Sequence, residues 1–240
     1  MTGTTDLPAS TQTAMDKVST AKAAWLEART KQEAAAAQCD IIRQRRAETE
    51  ANATAQNDEW RRLFRENGGV MTPEMKKLRT EVALDRESLE EFDALLALHA
   101  HENELLPWET SERALAYISA HSDLVNLRAM QLWQMFMDAH GQQLIQTLSL
   151  LKITLGRQAS AGIGEVDSVN DPETVLKTFI TRNITDPALV SDALPEDDVF
   201  ELAGTFPARG AHSDYRNSPS PAARHKILAR REMAQKEQAQ

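Results

Sequence analysis

Cysteine is nearly missing: Cys39 is the one thiol in 240 residues, which excludes an internal disulfide framework and fits a reducing compartment. Glycine and proline are also few, nine of each, and they sit at the ends of periodic segments. No apolar run approaches the roughly 18 residues of a membrane span, and Met1 to Ser10 lacks the basic region and apolar core of a secretory signal, so a cytoplasmic protein is expected. Alternating runs of β-branched residues are absent and no strand is expected. There is no GxxxxGK[ST] loop, no HExxH, no CxxC and no strand-borne glycine motif, so neither a cofactor nor an enzyme is expected. A net charge of −9 argues against a general nucleic-acid binder.

What is present is helical periodicity. Steps of three and four residues through the first long segment give Ala14, Val18, Ala21, Trp25, Ala28, Gln32, Ala35, Cys39, Ile42, Arg46, Thr49, Ala53, Gln56, Trp60 and Leu63. A second seam follows at the same spacing: Met75, Leu78, Val82, Asp85, Leu89, Phe92, Leu96, His99, Asn103 and Leu106. Mostly apolar repeats averaging about 3.5 residues are those of a left-handed coiled coil. Asn67-Gly68-Gly69 ends the first helix, and Thr72-Pro73-Glu74 supplies a cap, a first-turn proline and a carboxylate for the second. The reading is all-α: a long antiparallel helical hairpin with a C-terminal group of shorter helices.

The expected limits are a flexible leader over 1–12, the hairpin over 13–106, core helices over 107–155 and a C-terminal helical region over 156–240 ending in a basic helix. Pro107 stops the second helix, Thr110 or Ser111 caps the third, and Gly141 bends that helix or divides it. Trp133, Phe136 and Met137 mark the third helix as a packed core element. Gly156 to Asn170 is the clearest loop. Prolines at 172, 187 and 195 open three further helices, Gly204 to Asn217 is irregular, and Ser220-Pro221 begins the last helix.

The hairpin arms are unequal, roughly 75 to 80 Å against roughly 50 Å at 1.5 Å per residue. The seam around Val18, Trp25 and Ala28 therefore overhangs, and either the next helix folds back over it or a second subunit does. The second branch assigns these three residues to a homodimer interface. Charge is unevenly placed too: residues 161–201 hold ten carboxylates against Lys177 and Arg182, a balance of −8, whereas 224–236 hold five cations against Glu232, a balance of +4. Arg224, Lys226, Arg230 and Arg231 are expected to form a cationic face above Ile227 and Leu228. That face meets either an acidic partner or the acidic region of its own fold.

Other candidates read more simply. Cys39 lies on the seam as a small hydrophobe. His99 and His101, near Glu102 and Glu104, point to different sides of a helix and make a poor metal site. Glu196-Asp197-Asp198 is a carboxylate-rich helix start. Trp25, Trp60, Trp108 and Trp133 serve as core and interface anchors rather than base-stacking platforms.

Several stretches, in order along nearly the whole chain, resemble the polarity suppression protein (Psu) family of satellite bacteriophages. They are Lys22-Ala23-Ala24-Trp25-Leu26 near the start of a charged helix, Phe136-Met137 before His140-Gly141, Asp197-Asp198-Val199 through Phe206-Pro207, and Ser220-Pro221-Ala222-Ala223 before Ile227 and Arg230-Arg231. The resemblance implies an intertwined all-helical homodimer that binds the transcription termination factor Rho, suppresses termination and decorates the phage capsid. It places the protein in the host cytoplasm and on the capsid exterior, while the charge and the lack of a long apolar run lead to the expectation of no direct contact with nucleic acid or membrane. The family's Rho-contacting C-terminal helix falls on Arg224, Lys226, Ile227, Arg230 and Arg231. Three readings stand: a Rho inhibitor that also sits on capsids, a dedicated capsid decoration protein, and a coiled-coil scaffold with no phage connection.

Overall fold

A computed structural model of the chain describes residues 7–161 and 172–238. Among these all regular structure is helical: α1 (Ala9–Glu66), α2 (Pro73–Glu102), α3 (Leu106–Ala161), α4 (Pro172–Ile180), one turn of π-helix (Thr181–Thr185), α5 (Asp186–Val190), α6 (Asp198–Ala203), α7 (Arg209–Arg216) and α8 (Pro221–Gln238). The chain gathers into two compact units, Met1–Met15 with His121–Phe206 and Asp16–Ala120 with Pro207–Gln240.

In the second of these units α1 and α2 run antiparallel. Partners climb one helix as they descend the other: Gln38 meets His99, Arg46 meets Asp93, and the Arg79 guanidinium lies 5.1 Å from the Trp60 ring centre. Every seam residue of α1 and α2 named above is buried or half-buried, with Met75, Trp25 and Val82 the most enclosed. The turn forms as its chemistry requires. Gly68 and Gly69 take φ of +60° and +86°, a left-handed region open mainly to glycine. The Gly69 amide returns to the Phe64 carbonyl at 2.9 Å. Thr72 Oγ1 accepts from the Met75 amide at 3.2 Å, with Pro73 in the first turn.

The third helix departs from expectation. It starts at Leu106, takes Pro107 into its first turn where a missing amide costs nothing, and runs without a break through Gly141 to Ala161. One glycine costs only about 1 kcal/mol in a helix interior, and no proline follows to end it. Thr110 and Ser111 lie inside this helix as buried residues rather than caps. The loop expected over 156–170 begins inside α3, and residues 162–170 lie outside those described. At the other end α1 starts at Ala9, inside the expected leader, with Thr11 fully buried and its hydroxyl 2.8 Å from Gln131 Oε1.

Two short helices complete the comparison. α6 begins after Asp197, which caps it by accepting from the Val199 amide at 3.0 Å, three residues later than Pro195 suggests. α7 occupies a stretch expected to be irregular.

Candidate interaction surfaces

Val18, Trp25 and Ala28 are buried within a single chain, so the first branch of the overhang argument holds and the premise of an open seam is overturned. Trp25, 2% exposed, stacks on Tyr117 with ring centres 5.5 Å apart and planes 5° from parallel. Its indole N–H donates to Asp214 Oδ2 of α7 at 2.8 Å. Thr110 Oγ1 donates to the Ala28 carbonyl at 3.3 Å, and the Ala208 amide donates to Tyr117 Oη at 3.2 Å. Gly210 lets α7 approach this cluster: a Cβ there would run into the Arg29 guanidinium and lie 3.5 Å from the Trp25 ring.

The basic helix α8 also finds partners in its own chain, and they are not in the acidic 161–201 segment. Arg224 pairs with Glu112, and Arg230 pairs with Glu104. Arg231 lies 3.8 Å from Glu104 and donates to the His101 carbonyl at the end of α2. Trp108 Nε1 donates to the Pro219 carbonyl at 3.0 Å just before α8. Arg230 keeps 63% of its side chain exposed, and exposed pairs of this kind contribute only about 0 to 1 kcal/mol. Lys226 is exposed, Ile227 is half-buried and Leu228 is exposed. Three of the four expected cations are thus paired with carboxylates of their own chain, and Leu228, expected beneath them, is exposed instead.

In the other unit, Arg128 and Asp197 form an enclosed ion pair. Nε and Nη2 of Arg128 lie 2.9 and 2.7 Å from one carboxylate oxygen, and the two side chains are 11% and 5% exposed. Burial pushes the Asp197 carboxyl up, but hydrogen bonds from Arg128 and from the Val199 amide outweigh it and hold the group below its ordinary value. His121, almost fully buried, points Nε2 at the carbonyls of Ala203 and Gly204, 3.1 Å from each. This nitrogen must carry the proton, since both neighbours only accept.

Trp133 and Phe136, expected in the core, are exposed instead, Trp133 at 53%. They stack with centres 5.9 Å apart and wall one side of an apolar slot of about 720 Å³, whose other side includes Leu194, Pro195, Phe200 and Phe206. No spacing rule separates this slot from core, because a wide apolar helix face looks the same covered or open.

Metal chemistry finds little to work with. His99 Nδ1 lies 3.7 Å from Glu102, and among the described residues no three His, Cys, Asp or Glu side chains are gathered for a metal ion. Cys39 is free and half-buried in the hairpin. No helix among the described residues is long and apolar enough to cross a membrane.

Comparison with known proteins bears on these surfaces. A family model described as phage polarity suppression protein (Psu) matches residues 11–237. The chain is 29% identical over 187 residues to Glycoprotein 3 of Enterobacteria phage P4, covering 75% of each sequence. Among solved structures it is similar to a chain of the satellite phage P4 procapsid that includes the size determination (Sid) protein. That likeness has a TM-score of 0.70 at 22% identity, over 96% of this chain and 98% of the other, and at this identity it speaks for the fold.

Proposed function

Since the chain belongs to the phage polarity suppression protein (Psu) family, we propose that it is a non-catalytic phage protein that binds the exterior of a procapsid and takes part in setting its size. The observation that carries this reading is the family match over residues 11–237, with a phage P4 relative 29% identical over 75% of each sequence; the fold shared end to end with a chain of a procapsid that includes a size determination protein agrees with it. Its physical make-up suits the task. A stiff two-helix arm closed by a tight glycine turn can hold contacts at a fixed spacing on a shell, and no reaction chemistry is needed.

The test is co-expression with the phage's major capsid protein, followed by sedimentation and electron microscopy of the particles. The chain should cosediment with procapsids, and their diameter distribution should change when it is present. Particles of unchanged diameter, with the chain left in the supernatant, would exclude this role.

A second reading is favoured by the family's name and by the resemblance of the C-terminal helix. Here the chain binds Rho in the host cytoplasm and suppresses termination through Arg224, Lys226, Ile227, Arg230 and Arg231. Lys226 forms no ion pair with any described residue and is the cation most available to a partner. Purified chain should then lower Rho-dependent termination and RNA-dependent ATP hydrolysis in vitro, and unaltered rates of both would remove this reading.

In either role the chain acts as a homodimer. Since Val18, Trp25 and Ala28 are enclosed, the second subunit covers the exposed Ile145, Leu150 and Ile153 on the later half of α3. Light scattering should give twice the chain mass of 26.7 kDa, and Ile153→Arg should return it to the monomer.

A further inference from the structure

The apolar slot beside Trp133 has a feature that its lining alone does not show. Its lining residues Leu194, Pro195 and Phe200 are interleaved in sequence with Asp192, Glu196, Asp198 and Glu201. All four carboxylates are exposed, and Glu196 and Glu201 sit one peptide unit from slot residues. None of the four forms an ion pair with a described residue, and Arg128, next in sequence to the lining residue Ala129, is committed to Asp197. An apolar cleft whose lining segment also carries exposed, unpaired carboxylates favours a cationic ligand over an anionic one.

We propose that this slot is a docking site for an amphipathic helical segment of another protein, one that inserts apolar anchors between α3 and the 194–206 stretch and carries Lys or Arg on its flanks. The mode is helix-in-groove recognition, with anchors at helical spacing meeting a preformed apolar wall. Trp133, Phe136 and Phe206 supply the large amphipathic or aromatic contacts on which such sites rely. The exposed carboxylates of this segment select the charge of the ligand and speed its approach. The described lining of the slot comes from 125–136 and 194–206, so its occupancy can be read with the purified chain, independently of any procapsid or Rho.

The probe is a synthetic amphipathic helical peptide with leucines on one face and lysines on the flanks, titrated against the full chain by fluorescence anisotropy. A twin peptide carries glutamate in place of every lysine. The lysine peptide should bind about tenfold or more tightly than its twin, and its affinity should fall with added salt, since exposed charges are screened within about 8 Å at physiological ionic strength. Phe206→Ser and Leu194→Ser, at exposed positions where the fold has little to lose, should each weaken binding about tenfold with unchanged circular dichroism. Glu196→Lys with Glu201→Lys should narrow or reverse the preference between the twins. Equal affinity for both peptides would overturn the proposal, as would binding of neither. So would conversion of a dimer to a monomer by Phe206→Ser and Leu194→Ser, which would assign the slot to a second copy of the chain.

Discussion

At the scale of single residues the enclosed Arg128–Asp197 pair carries the clearest energetic consequence. Removing one partner of such a pair leaves the other charge buried without compensation, which costs about 3 to 5 kcal/mol, whereas replacing both by apolar groups can be close to neutral. Arg128→Met should therefore lower the urea midpoint far more than Arg128→Met combined with Asp197→Leu. Asp197 also gives stability a pH dependence of known sign. Its carboxyl ionises below the ordinary value in the folded chain, so its contribution is complete above the unfolded carboxylate pKa of about 3.9 and is lost as pH falls through the folded value. Urea midpoints measured from neutral to strongly acid solution should fall less steeply at the acid end in Asp197→Asn than in the parent. Trp25→Ala should cost on the order of 3 kcal/mol or more, and because Trp25 is buried by its own chain the loss should be the same at any protein concentration.

At the scale of elements, α1, α2 and their turn were legible because local rules suffice there: a repeat of about 3.5 residues, two glycines at positive φ and a Thr-Pro cap all point to one hairpin. α7 was hidden for the opposite reason. Its cap residue Ala208 makes no side-chain hydrogen bond, Gly210 lies in its first turn, and the helix owes its existence to docking on Trp25 and Tyr117. The acidic seats of α8 were equally unreadable, since Glu104 and Glu112 lie more than a hundred residues from the arginines they meet. The exposure of Trp133 and Phe136 was missed because periodicity tells which face of a helix is apolar but not whether anything covers it. Gly141 offers a direct check on the continuous α3. Its Cβ replacement would meet the Met137 methyl at 2.9 Å, the far end of a flexible side chain, while alanine improves helix propensity by about 1 kcal/mol. Gly141→Ala should leave the melting temperature unchanged or raise it, and a clear loss would mean that Met137 cannot move aside.

At the scale of the whole molecule the question is whether α8 serves the fold or a partner. Arg230 is well exposed, but Arg231 and Glu104 keep only 26% and 20% of their side chains in solvent, so Arg230→Glu with Arg231→Glu, which sets like charges beside Glu104, should lower the melting temperature as well. The same double substitution should abolish any binding that depends on the cationic face, because like charges in an interface cost several kcal/mol. Binding retained by a destabilised double mutant would make α8 a structural element only.

The tight turn at Gly68 and Gly69 leaves the α1–α2 arm a rod of one definite length, and a rod of definite length is a gauge. On a curved lattice, the distance between two fastened points sets the angle between neighbouring building blocks, and that angle sets how many blocks close the shell. Adding one heptad to each helix beside the turn keeps the seam in register and lengthens the arm by about 10 Å. Such a chain should melt at or above the parent temperature, and under the proposed capsid role the particles assembled in its presence should differ in diameter from those formed with the parent. Particles of the same diameter would show that curvature is governed elsewhere in the chain.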